Sequence, residues 1–324
     1  MSKKIVTALS AAFAMSLASS AQAQIGEGKT MTLMVPYPAG GISDAIARQL
    51  APALGKVLGQ NVIVENLGGA SGGLAAQKLL NTPHDGRMIF QGSPNELILS
   101  PLTNPDIKFK PDQFRHITQI THNPLILMTR PDHPATSIDE LVAHSKKSEK
   151  GVPYGSVGVG SLYHIISDNM SKVAGFKSVH IPYKGNAPMM QDLTGGQVDF
   201  AILPYLTQFK DLADGKKLKI LAWVSKGRGQ FMPELPSFGE SKSLPNVDQS
   251  IWAGIFVRKD TPEPIAQQIN AAMAKTMGTP ELRAALTKLG SIVIDTTSLD
   301  AAGKYFAAET AKLLTMTKDM EFKL

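Results

Sequence analysis

The chain has 324 residues, 43% of them hydrophobic and 19% charged, and it contains no cysteine, so a packed core rather than disulfides must hold it together. Its formal net charge of +6 is mild. Lysine pairs such as Lys146-Lys147 and Lys216-Lys217 have no interleaved aromatics, which excludes a nucleic-acid surface and reads as solvated charge.

Lys3 and Lys4 precede an apolar run from Ile5 to about Ala18 and the small-residue site Ala21-Gln22-Ala23, the pattern of an export signal over residues 1–23. The run is too short to span a bilayer, and no later stretch approaches the ~18–20 apolar residues that spanning requires. The remaining chain, roughly 300 residues, suffices for two domains. Strand-like and helix-like runs then alternate, which predicts a parallel α/β architecture. "MTLMVPY" is a strand; Ile46, Leu50, Leu54, Val57 and Leu58 recur at helical spacing up to Gly59, with a kink expected at Pro52. "NVIVEN" is the next strand, "LAAQKLL" a short helix and "HDGRMIF" a turn into a third strand.

A second series of α/β units starts at "HITQITHNPLILMTR". Ser137 and Glu140 form a capping box, "GVPYGS" is a strand, and Leu162, Ile165, Ile166, Met170 and Val173 make the core face of a helix. "VHIPY", "VDFAILP" and "KLKILAWVS" are further strands, and "IWAGIFV" leads into a helix started at Thr261-Pro262-Glu263. The expected division is a first lobe of 24–123 and 251–324 and a second of 124–250, joined by two strand crossings. A cleft between such lobes, at the carboxyl ends of parallel strands, is where a small ligand binds.

Three glycine-containing loops could serve that cleft. Gly40 and Gly41 precede a helix start near Ser43, where unsatisfied amides and the positive helix end favour an anion; Asp44 would fix the turn, and on spacing alone an empty tight turn fits equally well. "YGSVGVGSLYH" offers Ser156, Ser161 and His164 beside backbone amides, and "IPYKGNAP" offers Lys184; a local cap and a solvated lysine are the plainer readings. No loop ends in Gly-Lys-Ser/Thr, "YGSVG" lacks the first glycine of a nucleophile elbow, "GVGSLY" lacks the third glycine of a dinucleotide turn, and no histidine spacing suggests a metal. Donor loops without a nucleophile–base pair point to holding a ligand rather than converting it, with no cofactor.

The segments "VPYPAGGISDAIARQLA", "LGQNVIVENLGGASGG", "HDGRMIF", "YGSVGVGSLYH", "IPYKGNAP", "TGGQVDFAI" and "IWAGIFVRKDTPEPI" resemble, in order and over nearly the whole chain, the Bug-type or tricarboxylate-binding receptors of tripartite tricarboxylate transporters. The resemblance implies a two-lobed, hinged periplasmic binding protein of the Venus flytrap, type II-like kind, which closes over a small organic acid in the periplasm and hands it to membrane transporter subunits. Carried over by position, it nominates Tyr37, Ala39, Gly41, Ser43 and Asp44 on one side and Ser156, Ser161, His164, Tyr183, Lys184, Asn186 and Asp199 on the other, with Ser93 and Asn95 from a further loop. The chain departs from relatives at "VENLGG", where an arginine is missing beside Leu67, and places Tyr205 in "FAILPYLTQF"; a pocket with an added tyrosine would suit an aromatic acid or a longer dicarboxylate, while a short aliphatic acid is the plainer expectation. Two alternatives stand beside this reading. One is a periplasmic serine hydrolase using Ser156 or Ser161 with His164; the other is a ligand-presenting partner of a membrane sensor.

Overall fold

The computed structural model describes Ile25 and residues 30–318; the expected signal segment lies outside the described residues. The first lobe opens with strand β1 (Met31–Val35), helix α1 (Ile42–Leu58), β2 (Val62–Asn66), α2 (Gly73–Leu80) and β3 (Met88–Gly92). Ile42, Ile46, Ala47, Leu50, Ala51 and Leu54 repeat every three or four residues, so one stripe of α1 is buried. Gly59 ends the helix in the left-handed conformation (φ 66°), its N–H returning to the Gly55 carbonyl. The helix runs as one element through Pro52, which lies on the exposed face.

β1 pairs in parallel with β2 and β3. The 16-residue strand β4 (Phe114–Thr129) then runs antiparallel and belongs to both lobes. The second lobe continues with α3 (Ile138–Ser145), β5 (Val152–Ser156), α4 (Leu162–Ala174), β6 (Ser178–Pro182), α5 (Asn186–Thr194), β7 (Phe200–Pro204), α6 (Thr207–Asp214) and β8 (Lys219–Trp223). The chain returns through β9 (Ser250–Arg258), α7 (Glu263–Met277), α8 (Pro280–Lys288), the short β10 (Ile292–Val293) and α9 (Leu299–Thr317). The strand order is β2-β1-β3-β9-β4-β7-β5-β6, with β8 and β10 also on β4. The sheet is therefore mixed, where alternation alone suggested a parallel one: β4 and β9 run against their neighbours.

Those two antiparallel strands make the connection between lobes. β4 pairs with β9 from Phe114 to Pro124, then with β7 from Leu125 onward. The chain comes back at the same level: the Gln249 amide donates to Val224 in the second lobe, and Ser250 pairs with Pro124. Two adjacent crossings with no helix between them form a narrow waist about which rigid lobes can turn.

Local details depart from expectation for stated reasons. Ser137 caps α3 by accepting from the Glu140 amide (3.2 Å), but the Glu140 carboxylate returns to Thr136 N and Oγ1 (both 2.7 Å) rather than to Ser137. On α4 the core face is Leu162, Ile165, Ile166, Met170 and Ala174, whereas Val173 is 62% exposed. The helix packs on β7, β5 and β6, and Val173 lies off the face it turns to them. No described helix is long and apolar enough to cross a membrane.

Candidate functional site

The carboxyl ends of β1, β5 and β6 lead into loops that meet between the lobes. In the first, Asn66 Nδ2 donates to the Tyr37 carbonyl (2.9 Å), and Asp44 Oδ2 accepts from the Gly40 amide (3.0 Å) and from Arg48 Nε (2.9 Å). Burial would raise the Asp44 pKa, but the Arg48 and Gly40 bonds outweigh it and hold the carboxylate below its ordinary range. Asp44 thus shapes the turn from behind. Gly41, at φ −89° and ψ 175°, is the N-cap of α1, and no side chain caps the helix. Gly185 stands likewise before α5, again without a side-chain cap.

These two helix starts face each other. A Cβ placed on Gly41 would lie 3.5 Å from Asn186 Nδ2, and one on Gly185 would lie 2.9 Å from the Pro38 ring. Between them is a cavity of about 20 Å³ lined by Tyr37, Pro38, Gly41, Ile42 and Ser43 from the first lobe and Val157, Tyr163 and Asn186 from the second. None of these residues is charged. A groove of about 420 Å³ opens outward from Gly40 and Asn186 along Met190 and α6.

The α4 start is different, because two of its first-turn amides are already bonded to side chains. Ser161 Oγ accepts from the His164 amide (3.3 Å), and Asn95 Oδ1, from the first lobe, accepts from the Leu162 amide (2.8 Å). Ser156 is fully buried; its Oγ lies 2.7 Å from His180 Nε2 and bonds the Gly158 carbonyl, the Gly158 amide and Ser161 Oγ. His164 Nδ1 accepts from the Gly160 amide (2.9 Å). The His164 and His180 rings stack at 3.9 Å and 7°. Burial, then the neighbouring His164, pushes the His180 imidazole down to about 3, so the stack is neutral near pH 7.

The structure gathers Tyr37, Gly41, Ser43 and Asn186 around the cavity. Ala39 is exposed at the rim, and Lys184 is exposed beside it. Ser93 and Asn95 lie behind Tyr37, with Asn95 Nδ2 donating to its hydroxyl (3.2 Å). Ser156, Ser161 and His164 hold the β5–α4 loop together rather than line the cavity. Tyr183 donates its hydroxyl to Asp192 (2.6 Å).

Two expected residues are not brought there. Asp199 precedes β7, at the end of the lobe away from the cleft, and its carboxylate accepts from Arg130 Nε (2.6 Å). Tyr205 is 2% exposed, edge-on to Trp223 and stacked on Phe231; it is core at the waist. Two residues escaped sequence reasoning. His180 sits mid-strand in "VHIPY", with no spacing that ties it to Ser156. Glu96 follows Asn95 and is wholly buried; a carboxylate inside the apolar run "NELIL" was its available signal.

A profile of the tripartite tricarboxylate transporter family receptor matches residues 46–320. The chain belongs to that family. Members are periplasmic solute-binding receptors of the two-lobed type rather than enzymes. A Cupriavidus necator relative, the UPF0065 protein in the gbd 5′ region, is 32% identical over 298 residues, covering 90% of this chain and 87% of its own. Among solved structures, R. palustris Rpa4515 with adipate superposes with a TM-score of 0.84 at 26% identity, covering 90% of this chain and 97% of that one. MatC from Rhodopseudomonas palustris with bound malate gives 0.82 at 25%, covering 89% and 98%. In this chain α1 and α5 start without side-chain caps, and the buried Ser156 and Ser161 bond within the β5–α4 loop.

Proposed function

We propose that this receptor captures a small organic carboxylate between its lobes and delivers it to the membrane subunits of a tripartite transporter. The observation that carries the reading is the convergence of two helix N-termini without side-chain caps, α1 from one lobe and α5 from the other, over a cavity whose lining has no charge. Backbone amides at a helix start, strengthened by the dipole, bind an anion without a lysine. Neutral donors suit a receptor that must also release, since no buried ion pair has to be broken. The bound adipate and malate of the two solved relatives support an aliphatic dicarboxylate. The burial of Tyr205 removes the reason for preferring an aromatic acid.

The lobes divide, in this proposal, at the two crossings, into 24–123 with 251–324 and 124–250, and residues 1–23 direct export. A cavity of about 20 Å³ has room for about one water, so an acid enters with the lobes apart and closure draws the helix starts together. The ligand shifts the lobes only by binding the closed form better.

The test is a thermal-shift screen against mono-, di- and tricarboxylates, aromatic acids, amino acids and uncharged solutes. At a hundredfold excess over Kd a ligand stabilises by about 2.7 kcal/mol. A shift confined to one carboxylate class is expected. A shift with an uncharged solute and with none of the acids would sink the proposal.

A further inference from the structure

Glu96 is fully buried behind the cleft, packed against Gly72. Its Oε2 accepts from Ser93 Oγ (2.9 Å) and from the Tyr37 hydroxyl (3.1 Å), and its Oε1 has no hydrogen-bond partner among the described residues. No ion pair joins it among the described residues. The titratable side chains that face it are Tyr37, from the turn after β1, and Tyr163, from α4; Pro36, Gly72, Ser93 and Asn95 bring none. An isolated buried carboxylate is costly, so the acid is held neutral. Burial pushes its pKa up to about 8, against the lowering pull of Ser93, its own amide and Tyr37.

The bonds continue across the lobes. Tyr37, donating to Glu96, presents its lone pair to Asn95 Nδ2 (3.2 Å). That leaves Asn95 Oδ1 facing the Leu162 amide at the start of α4 (2.8 Å). The reversed amide would oppose two N–H groups, so the tyrosine fixes which way the clasp faces. Ser71 Oγ donates to the Val159 carbonyl (2.9 Å) beside it.

We propose that Glu96 is a positioning residue for lobe closure: by accepting from Tyr37 it sets the Asn95 clasp on Leu162, and its ionisation opposes closure because the closed lobes shut the charge away from water. The inference rests on the receptor reading, in which closure is the step a ligand drives. Ionised Glu96 is a buried charge without a cation, and parting the lobes lets water reach the network that surrounds it. The closed form thus holds one proton more than the open form. Closure then weakens tenfold for each pH unit between the midpoint of the hydrated group in the open form and its raised midpoint in the closed form, and is independent of pH above the latter.

The absence of cysteine permits a clean distance probe. Lys56→Cys on α1 and Lys177→Cys before β6, both exposed, carry a donor–acceptor dye pair in the full chain. Energy transfer is read from pH 5 to 9 with no acid, with adipate and with malate. The expected result is a closed-to-open ratio that falls as pH rises towards about 8, by up to tenfold per unit, and levels off above it. Glu96→Gln, neutral and of the same shape, should stay closed throughout. Asn95→Ala, which loses the bond to the Leu162 amide, should be less closed at every pH. A Glu96→Gln variant that titrates like the unsubstituted protein, a flat unsubstituted profile, or an Asn95→Ala variant as closed as the unsubstituted protein overturns the proposal. A Glu96-dependent titration in a protein whose lobes answer to neither adipate nor malate would leave the clasp standing and remove its support from a dicarboxylate receptor.

Discussion

Replacing Gly160 by alanine separates the cost of folding from the cost of closing. Gly160 lies in the β5–α4 loop at φ +72°, and a Cβ there would overlap Oγ1, Cβ and Cγ2 of Thr103, which belongs to the other lobe. Thr103 cannot swing aside: it is β-branched and its Oγ1 is anchored to the Leu99 carbonyl (3.0 Å). The left-handed backbone costs an alanine about 1 kcal/mol whether the lobes are open or closed. The collision, about 1–3 kcal/mol for overpacking, arises only when they meet. The melting temperature should therefore fall by roughly 2–4 °C per kcal/mol of strain. The closed population, and with it the affinity for a ligand that selects the closed form, should drop about five- to 150-fold. Calorimetric titration with adipate or malate, beside thermal melting of the ligand-free protein, reads both. A lower melting temperature with unchanged affinity would refute the interlobe wedge.

Ser161→Ala removes a buried N-cap and a bond to Ser156, and should lower stability by about 1 kcal/mol; a melting curve that superposes on that of the parent protein would contradict this role. Gly41→Ala should leave melting nearly unchanged, since its φ of −89° suits alanine and the new methyl meets only Asn186 at 3.5 Å or more. The same methyl enters the gap between the helix starts, so carboxylate affinity should fall, and equal affinity would move the site elsewhere. His180 is held neutral, its pKa depressed to about 3 from the ordinary 6.5. The stability it contributes is present above about pH 6.5 and lost as pH falls towards 3; melting followed over that window should show the loss, and His180→Phe, which keeps a flat ring under Tyr154, should reduce the slope.

The order of elements was readable because each is written locally: an apolar run of five, a glycine or serine, then a stripe at helical spacing. Sites were less legible in proportion to how far their partners lie along the chain. Asp44 is held by Gly40 and Arg48, four residues away on either side, and its role in fixing the turn was visible from position alone. His180 meets Ser156 across 24 residues, and Asp199 meets Arg130 across 69. No local pattern records either pairing, so the first was missed and the second was placed in the wrong end of its lobe. Tyr205 was misjudged for a related reason. An aromatic after a strand reads the same whether it faces a cleft or, as here, fills the waist against Trp223.

The three glycine loops make the limit plain. "PAGGIS", "VGSLY" and "KGNAP" each lead a strand into a helix with small residues at the turn, and each promises free amides. The fold grants that promise to two of them. At α4 the amides of Leu162 and His164 are taken by Asn95 and Ser161, while α1 and α5 keep starts with no side-chain cap. The competitor that decides the matter at Leu162 is a side chain 67 residues earlier, on the opposite lobe. What a helix start offers a ligand is set by what the rest of the protein has not already bonded to it. In the proposed closure that set of donors changes with the movement: bringing α1 and α5 together also seats Asn95 on α4, so on this proposal one pair of helix ends is assembled for the ligand as the third is consumed to hold the lobes.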